Sequence, residues 1–112
     1  MAQSRSYNSW YLHIPISAST GAGTVSSWVQ IPPTVANKIH GTATFAGTTG
    51  TMKLYGKLSS SSTAATLLIT RTQAQRSAVV ASTVATMVNW VRAGSTKLTG
   101  GAGTIYAAGI VA

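Results

Sequence analysis

The sequence predicts an all-β protein: a single β-sandwich or jelly-roll-like domain over residues 1–112, with residues 1–9 as an extended N-terminal arm. Three observations lead there. Two stretches alternate apolar and polar residues with the period of two that a half-buried strand requires. Short apolar runs are separated by turn clusters at Ser19-Thr20-Gly21-Ala22-Gly23, Ile31-Pro32-Pro33, Gly47-Thr48-Thr49-Gly50, Ser59 to Ser62 and Gly100-Gly101-Ala102-Gly103. The composition, 45% hydrophobic with 11 Gly and abundant Thr and Ser, favours extended backbone broken by tight turns.

Taken in chain order, Trp10, Leu12, Ile14 and Ile16 alternate with Tyr11, His13 and Pro15. Pro15 has no N–H for a ladder, so this stretch reads as an edge strand or part of the arm. Ser27 to Ile31 and Ile39 to Ala46 are shorter strand candidates. Thr51 to Leu58 is the clearest strand, with Met52, Leu54 and Leu58 on one face and Lys53, Tyr55 and Lys57 on the other. Ala65 to Thr72 and Thr104 to Val111 read as buried strands. Ser77 to Arg92 is ambiguous, because Val80, Val84, Met87, Val88 and Val91 recur at helical spacing. Yet β-branched residues dominate it, and no acid is present to favour a helix N-terminus. Two strands with a break near Ser82-Thr83 are the favoured reading. The echo between Gly21-Ala22-Gly23-Thr24-Val25 and Gly101-Ala102-Gly103-Thr104-Ile105 reads as shared turn chemistry, not as a repeat.

Charge restricts function more sharply than pattern does. An ordinary domain is about 25% charged. This chain is 7% charged, with 8 Lys plus Arg and no Asp or Glu, for a formal net charge of +8. Carboxylate general acids and bases, glycosidase pairs, Mg²⁺ and Ca²⁺ ligand sets and triad orienters are therefore excluded. The absence of Cys excludes disulfides, thiolate metal sites and thiol nucleophiles. A disordered polycation is charge-rich and apolar-poor, and this chain is neither. A folded cation without its own carboxylates looks to a partner for negative charge: nucleic acid, an anionic membrane or an acidic protein surface. The chain shows neither a signal-peptide core nor a run of about 18 apolar residues, so the expectation is a cytosolic product with no membrane partner.

The remaining motifs for chemistry are thin. No serine stands in a Gly-X-Ser-X-Gly elbow or a Ser-X-X-Lys pair, and His13 and His40 have no acidic orienter. Two histidines alone do not fill a metal shell. The Gly100 to Thr104 loop lacks the Gly-Lys-Ser/Thr ending of a phosphate cradle. The sequence thus predicts no enzyme activity, no metal and no cofactor. Binding is the better class. Lys53 and Lys57 flank Tyr55 on one strand face, a basic and aromatic pattern suited to phosphates and bases, and equally ordinary on an exposed sheet. Arg71, Arg76, Arg92 and Lys97 follow, scattered along the chain. Arg5, Tyr7, Trp10 and Tyr11 cluster near the N-terminus, where Arg and aromatics suit an interface anchor, although Trp10 reads equally well as core.

From Gly50 to Ala112 the chain resembles small virion proteins of tailed bacteriophages. The likeness rests on the strand from Gly50 to Leu58 (GTMKLYGKL), the closing run Asn89-Trp90-Val91-Arg92-Ala93-Gly94-Ser95-Thr96-Lys97-Leu98-Thr99-Gly100-Gly101, and a last strand over Ala102 to Ala112. Such proteins usually carry acids in this region, and here there are none. The resemblance implies a capsid decoration (cement) protein or a related head or tail accessory: a β-sandwich, often a homotrimer, clamping neighbouring capsomers. Its partner is then the acidic surface of the major capsid protein, and its location the virion surface after synthesis in the host cytoplasm. On this view Arg5, Tyr7, Trp10 and Tyr11 are arm or anchor contacts. Lys53, Tyr55, Lys57, Arg71, Arg76 and Arg92 form the basic docking surface, and copies associate through β edges or the arm. The alternative is a small viral coat or nucleoid-type protein that holds nucleic acid non-specifically through the same basic surface.

Overall fold

The computed structural model describes residues 2–6 by their backbone, and residues 9–16, 25–47, 49–75, 78–96, 98 and 101–111 in full. The described chain forms β1 (Ala2–Ser6), β2 (Ser9–Ile16), β3 (Val29–Val35), β4 (Ile39–Phe45), β5 (Thr51–Lys57), β6 (Thr66–Thr72), β7 (Val80–Ala81), β8 (Met87–Ser95) and β9 (Gly103–Ile110). Two 3₁₀ turns, Ala36–Lys38 and Gln73–Gln75, link β3 to β4 and follow β6. The strands build a five-stranded sheet in the order β1-β2-β9-β4-β7 and a four-stranded sheet in the order β3-β8-β5-β6. Every strand pair is antiparallel.

The two sheets bury their inner faces against each other. Trp10, Leu12, Ile14 and Ile16 of β2, with Ile39 and Ala43 of β4 and Ile105 and Ala107 of β9, line one side of the core. Met52 and Leu54 of β5, Ile31 of β3, Ile69 of β6 and Val88, Val91 and Ala93 of β8 line the other. The alternations in β2 and β5 thus lie in the sheets as their period requires. Ser77 to Arg92 contains two strands with a break after Ala81 and no α-helix among its described residues.

Several expectations are corrected. Residues 2–6 are not a free arm: β1 pairs with β2 as a hairpin, Ala2 opposite His13 and Arg5 opposite Trp10. Pro15 does not mark an edge strand, because β2 lies between β1 and β9. The described β1 register stops at Ala2↔His13, so among the described residues Pro15 has a ladder neighbour on the β9 side alone. Leu58 does not continue the core face of β5. Gly56 takes the inward position, and Leu58 is 60% exposed in the turn that follows. The Ile31-Pro32-Pro33 cluster is no strand terminator but part of β3, where the register slips between Gln30 and Thr34.

The edges follow from the same residues. β3 is an edge whose two prolines sit in a bulge, and β7 is only two residues long. β6, expected as a buried strand, is also an edge. Its pairing with β5 shifts between Leu54 and Tyr55, so that Leu68 and Ile69 both turn inward. Arg71, on the same strand, is buried as well. Prolines, bulges, short edges and inward charges all discourage strand addition.

Candidate functional site

The outward face of the four-stranded sheet gathers aromatic and basic side chains. Three register relations place them. Lys53 lies opposite Gly94, Tyr55 opposite Arg92, and Lys57 opposite Trp90. Trp90 in turn faces Gln30 of β3, and Val29 faces Val91, so Trp28 stands just ahead of β3 at the level of Arg92.

At the centre is the Trp28 ring. The Lys57 ammonium lies 4.4 Å from its centroid and the Arg92 guanidinium carbon 4.6 Å from it. An indole face attracts a cation through its quadrupole, so the ring holds two charges that would otherwise repel. Lys57 is only 9% exposed and is further held by its ammonium, which donates to the backbone carbonyls of Ser60 at 3.1 Å and Ser62 at 3.2 Å. The serine turn after β5 therefore acts as a collar for this ammonium. Arg92 is half-buried, and its Nε is buried without a hydrogen-bond partner. Two cations thus share one aromatic ring in a chain that has no carboxylate side chain to offset them. Lys53 and Tyr55, both half-buried, extend the face along β5.

The sequence-predicted residues divide among different places. Lys53, Tyr55, Lys57 and Arg92 do share this face. Arg71 does not: it is 7% exposed in the opposite parity of β6, and one guanidinium N–H₂ donates to the Gln75 carbonyl at 3.1 Å. Tyr11 is 53% exposed on the outward face of the other sheet. Trp10 is not an exposed anchor but core, 2% exposed, with Nε1 donating to Thr34 Oγ1 at 2.9 Å. Tyr7 and Arg76, and the side chain of Arg5, lie outside the described residues.

Trp28 and Trp90 are the members that sequence reasoning passed over. Trp28 falls in the short strand candidate Ser27 to Ile31, whose sequence carries no basic residue, so nothing local marks it as the centre of a cluster. Trp90 precedes Arg92 by two residues, so a strand's period sets the two on one face, but its position beside Lys57 depends on the β5–β8 register.

No family model matches the chain, and neither the curated proteins nor the solved structures contain a match to it.

Proposed function

We propose that this protein is a non-enzymatic virion structural protein, of the decoration or accessory kind, that docks through the outward face of its four-stranded sheet on the acidic surface of a capsid lattice. The observation that carries the reading is the pair Lys57 and Arg92 on one indole with no acid side chain in the chain. Two cations fixed side by side on a half-buried ring, with no carboxylate of their own, favour an incoming carboxylate. The net charge of +8 steers the chain to a negative surface, and a repeating lattice adds avidity. The same charge keeps unattached copies apart. In this reading the stacked sheets serve as the jelly-roll-like module that such accessories use.

A second reading has its own support. Tyr55 and Trp90 beside Lys53 and Arg92 form the combination of stacking surface and cation that holds single-stranded nucleic acid. A salt series separates the two. The purified chain is titrated with single- and double-stranded DNA, and in parallel co-sedimented with empty capsid shells. Saturable shell binding, lost in Lys53→Glu, supports docking. Tight DNA binding with a log–log salt slope of about 0.9 per phosphate, and no shell binding, replaces it with the nucleic-acid reading.

A further inference from the structure

We infer that the docking face receives an extended acidic segment of its partner, with carboxylates two residues apart, which Arg92 and Lys53 contact and Lys57 does not. The inference rests on the docking reading and deepens it.

The three cations of the face differ in what their donors already hold. An ammonium has three N–H donors. For Lys57, two of them go to the Ser60 and Ser62 carbonyls, and the Trp28 ring centroid lies 4.4 Å from the nitrogen. Lys57 therefore adds charge to the face but no open donor. It is a positioning residue: together with the serine turn it fixes the indole on which Arg92 lies. Arg92 is the reverse case. Its guanidinium stacks on the ring, and of its nitrogens Nε alone is buried without a partner. No hydrogen bond within the described chain takes the two terminal nitrogens, so that end of the fork is open. A guanidinium stacked on an aromatic ring keeps its planar fork for a carboxylate. The Lys53 ammonium, on a half-buried side chain, likewise has no hydrogen bond among the described residues.

Register sets the spacing of the two open cations. Lys53 faces Gly94, and Arg92 stands two residues before Gly94 on the same face of β8. Lys53 and Arg92 are thus diagonal neighbours on adjacent strands, about 7–8 Å apart at the backbone. In an extended chain, side chains two residues apart point the same way and repeat at about 7 Å. Two acids separated by one residue of any kind therefore meet both cations at once.

The number of open charges selects the class of partner. The chain has no acid side chain, so the carboxylates come from outside. Among the described residues the outward positions of β2, β9 and β4 carry no Lys or Arg, so the five-stranded sheet adds nothing to the pair there. Nucleic-acid affinity grows with each phosphate neutralised, and two open cations neutralise few. The Trp28 ring, which could otherwise stack a base, already holds two cations. A short acidic run on a protein surface needs no more than this face offers.

The test is a nuclear magnetic resonance titration of the isotope-labelled full chain at low salt, with two peptides of one composition. In one, glutamates and threonines alternate singly; in the other they alternate in pairs, so that only the first has acids two residues apart. A single-stranded oligothymidylate is the third ligand. The singly alternating peptide is expected to bind about fivefold more tightly than the paired one, the worth of one surface ion pair. Arg92→Gln is expected to weaken its binding at least about tenfold, and Lys53→Ala about threefold. Arg92→Lys, which keeps the charge and loses the fork, is expected to fall between Arg92→Gln and the parent. Lys57→Met is expected to leave the salt dependence of peptide binding unchanged, whereas Lys53→Ala reduces it. If Arg92→Gln fails to fold by circular dichroism, Lys53→Glu makes the same test and is expected to abolish binding.

Equal affinity for the two peptides, no binding of either by about 5 mM, or an Arg92→Gln variant that binds like the parent would overturn the inference. So would a salt dependence that falls in Lys57→Met as it does in Lys53→Ala. Shell co-sedimentation that is still lost in Lys53→Glu would then leave the docking reading standing without it. Tight binding of the oligothymidylate, with neither peptide nor shells bound, overturns both.

Discussion

The hydroxyl of Thr34 satisfies two groups at once. It accepts from the buried Trp10 Nε1 at 2.9 Å and donates to the Pro32 carbonyl at 2.8 Å. The first bond joins the edge strand β3 of one sheet to β2, an interior strand of the other, and the second braces the proline bulge. Thr34→Val keeps the shape but strips both partners of their bond, and is expected to cost about 1–3 kcal/mol in urea unfolding. Gly109 plays a complementary part opposite Trp10. A Cβ there would stand 2.6 Å from the indole Cζ2, so only glycine lets the ring lie flat across β9. Gly109→Ala is expected to destabilise by about 1–3 kcal/mol through overpacking, measured in the same way. The inward position of Trp10 was legible, because it alternates with Leu12, Ile14 and Ile16. Its partner was not: Thr34 is separated from it by 24 residues and looks like any other Thr of a Thr-rich chain.

At the scale of the element, β5 shows what alternation conveys and where it stops. Met52 and Leu54 are inward and Lys53 and Tyr55 half-exposed, as a period of two requires. Beyond Tyr55 the pattern fails for a physical reason. Gly56 fits where a Cβ would meet Leu68 Cδ1 at 2.8 Å and Val88 Cγ1 at 2.9 Å, and the strand then ends in the turn that holds the Lys57 ammonium. Lys53 and Lys57, equivalent in the sequence, therefore differ in kind. Lys57→Met loses two charge-assisted bonds and is expected to lower stability by about 1–3 kcal/mol, whereas Lys53→Ala is expected to stay within about 0.5 kcal/mol. Thermal unfolding of the two variants side by side checks this. The bulges in β3 and β6 were hidden for the same reason as the Trp28 cluster. They are properties of pairing between strands, and a single strand's sequence contains only half of each pair.

At the scale of the whole molecule, the missing carboxylates set the response to pH and salt. Acid unfolding ordinarily follows protonation of carboxylates whose pKa is depressed in the folded state, so that the unfolded chain takes up more protons as pH falls. No side chain here titrates in that way. The difference in bound protons between unfolded and folded states is then near zero from about pH 5 to about pH 2, and stability should be flat across that window. Calorimetry that finds a steep loss there would contradict this account. Salt acts in the opposite sense to its effect on a protein laced with ion pairs. Raising ionic strength from about 0.05 to about 0.5 M screens repulsion without weakening any internal side-chain ion pair, so the melting temperature should rise. This property was fully legible, since composition needs no fold. The division of the surface into a cationic and a neutral side was not, because it depends on which sheet each strand joins. That division also sorts the chain's three tryptophans. Trp10 is 2% exposed inside the core, while Trp28 and Trp90 are half-buried on the cationic side. The protein's own fluorescence therefore has two parts. One is blue and sheltered from soluble quenchers until the fold is lost; the other is redder and changes as soon as a polyanion settles over the sheet.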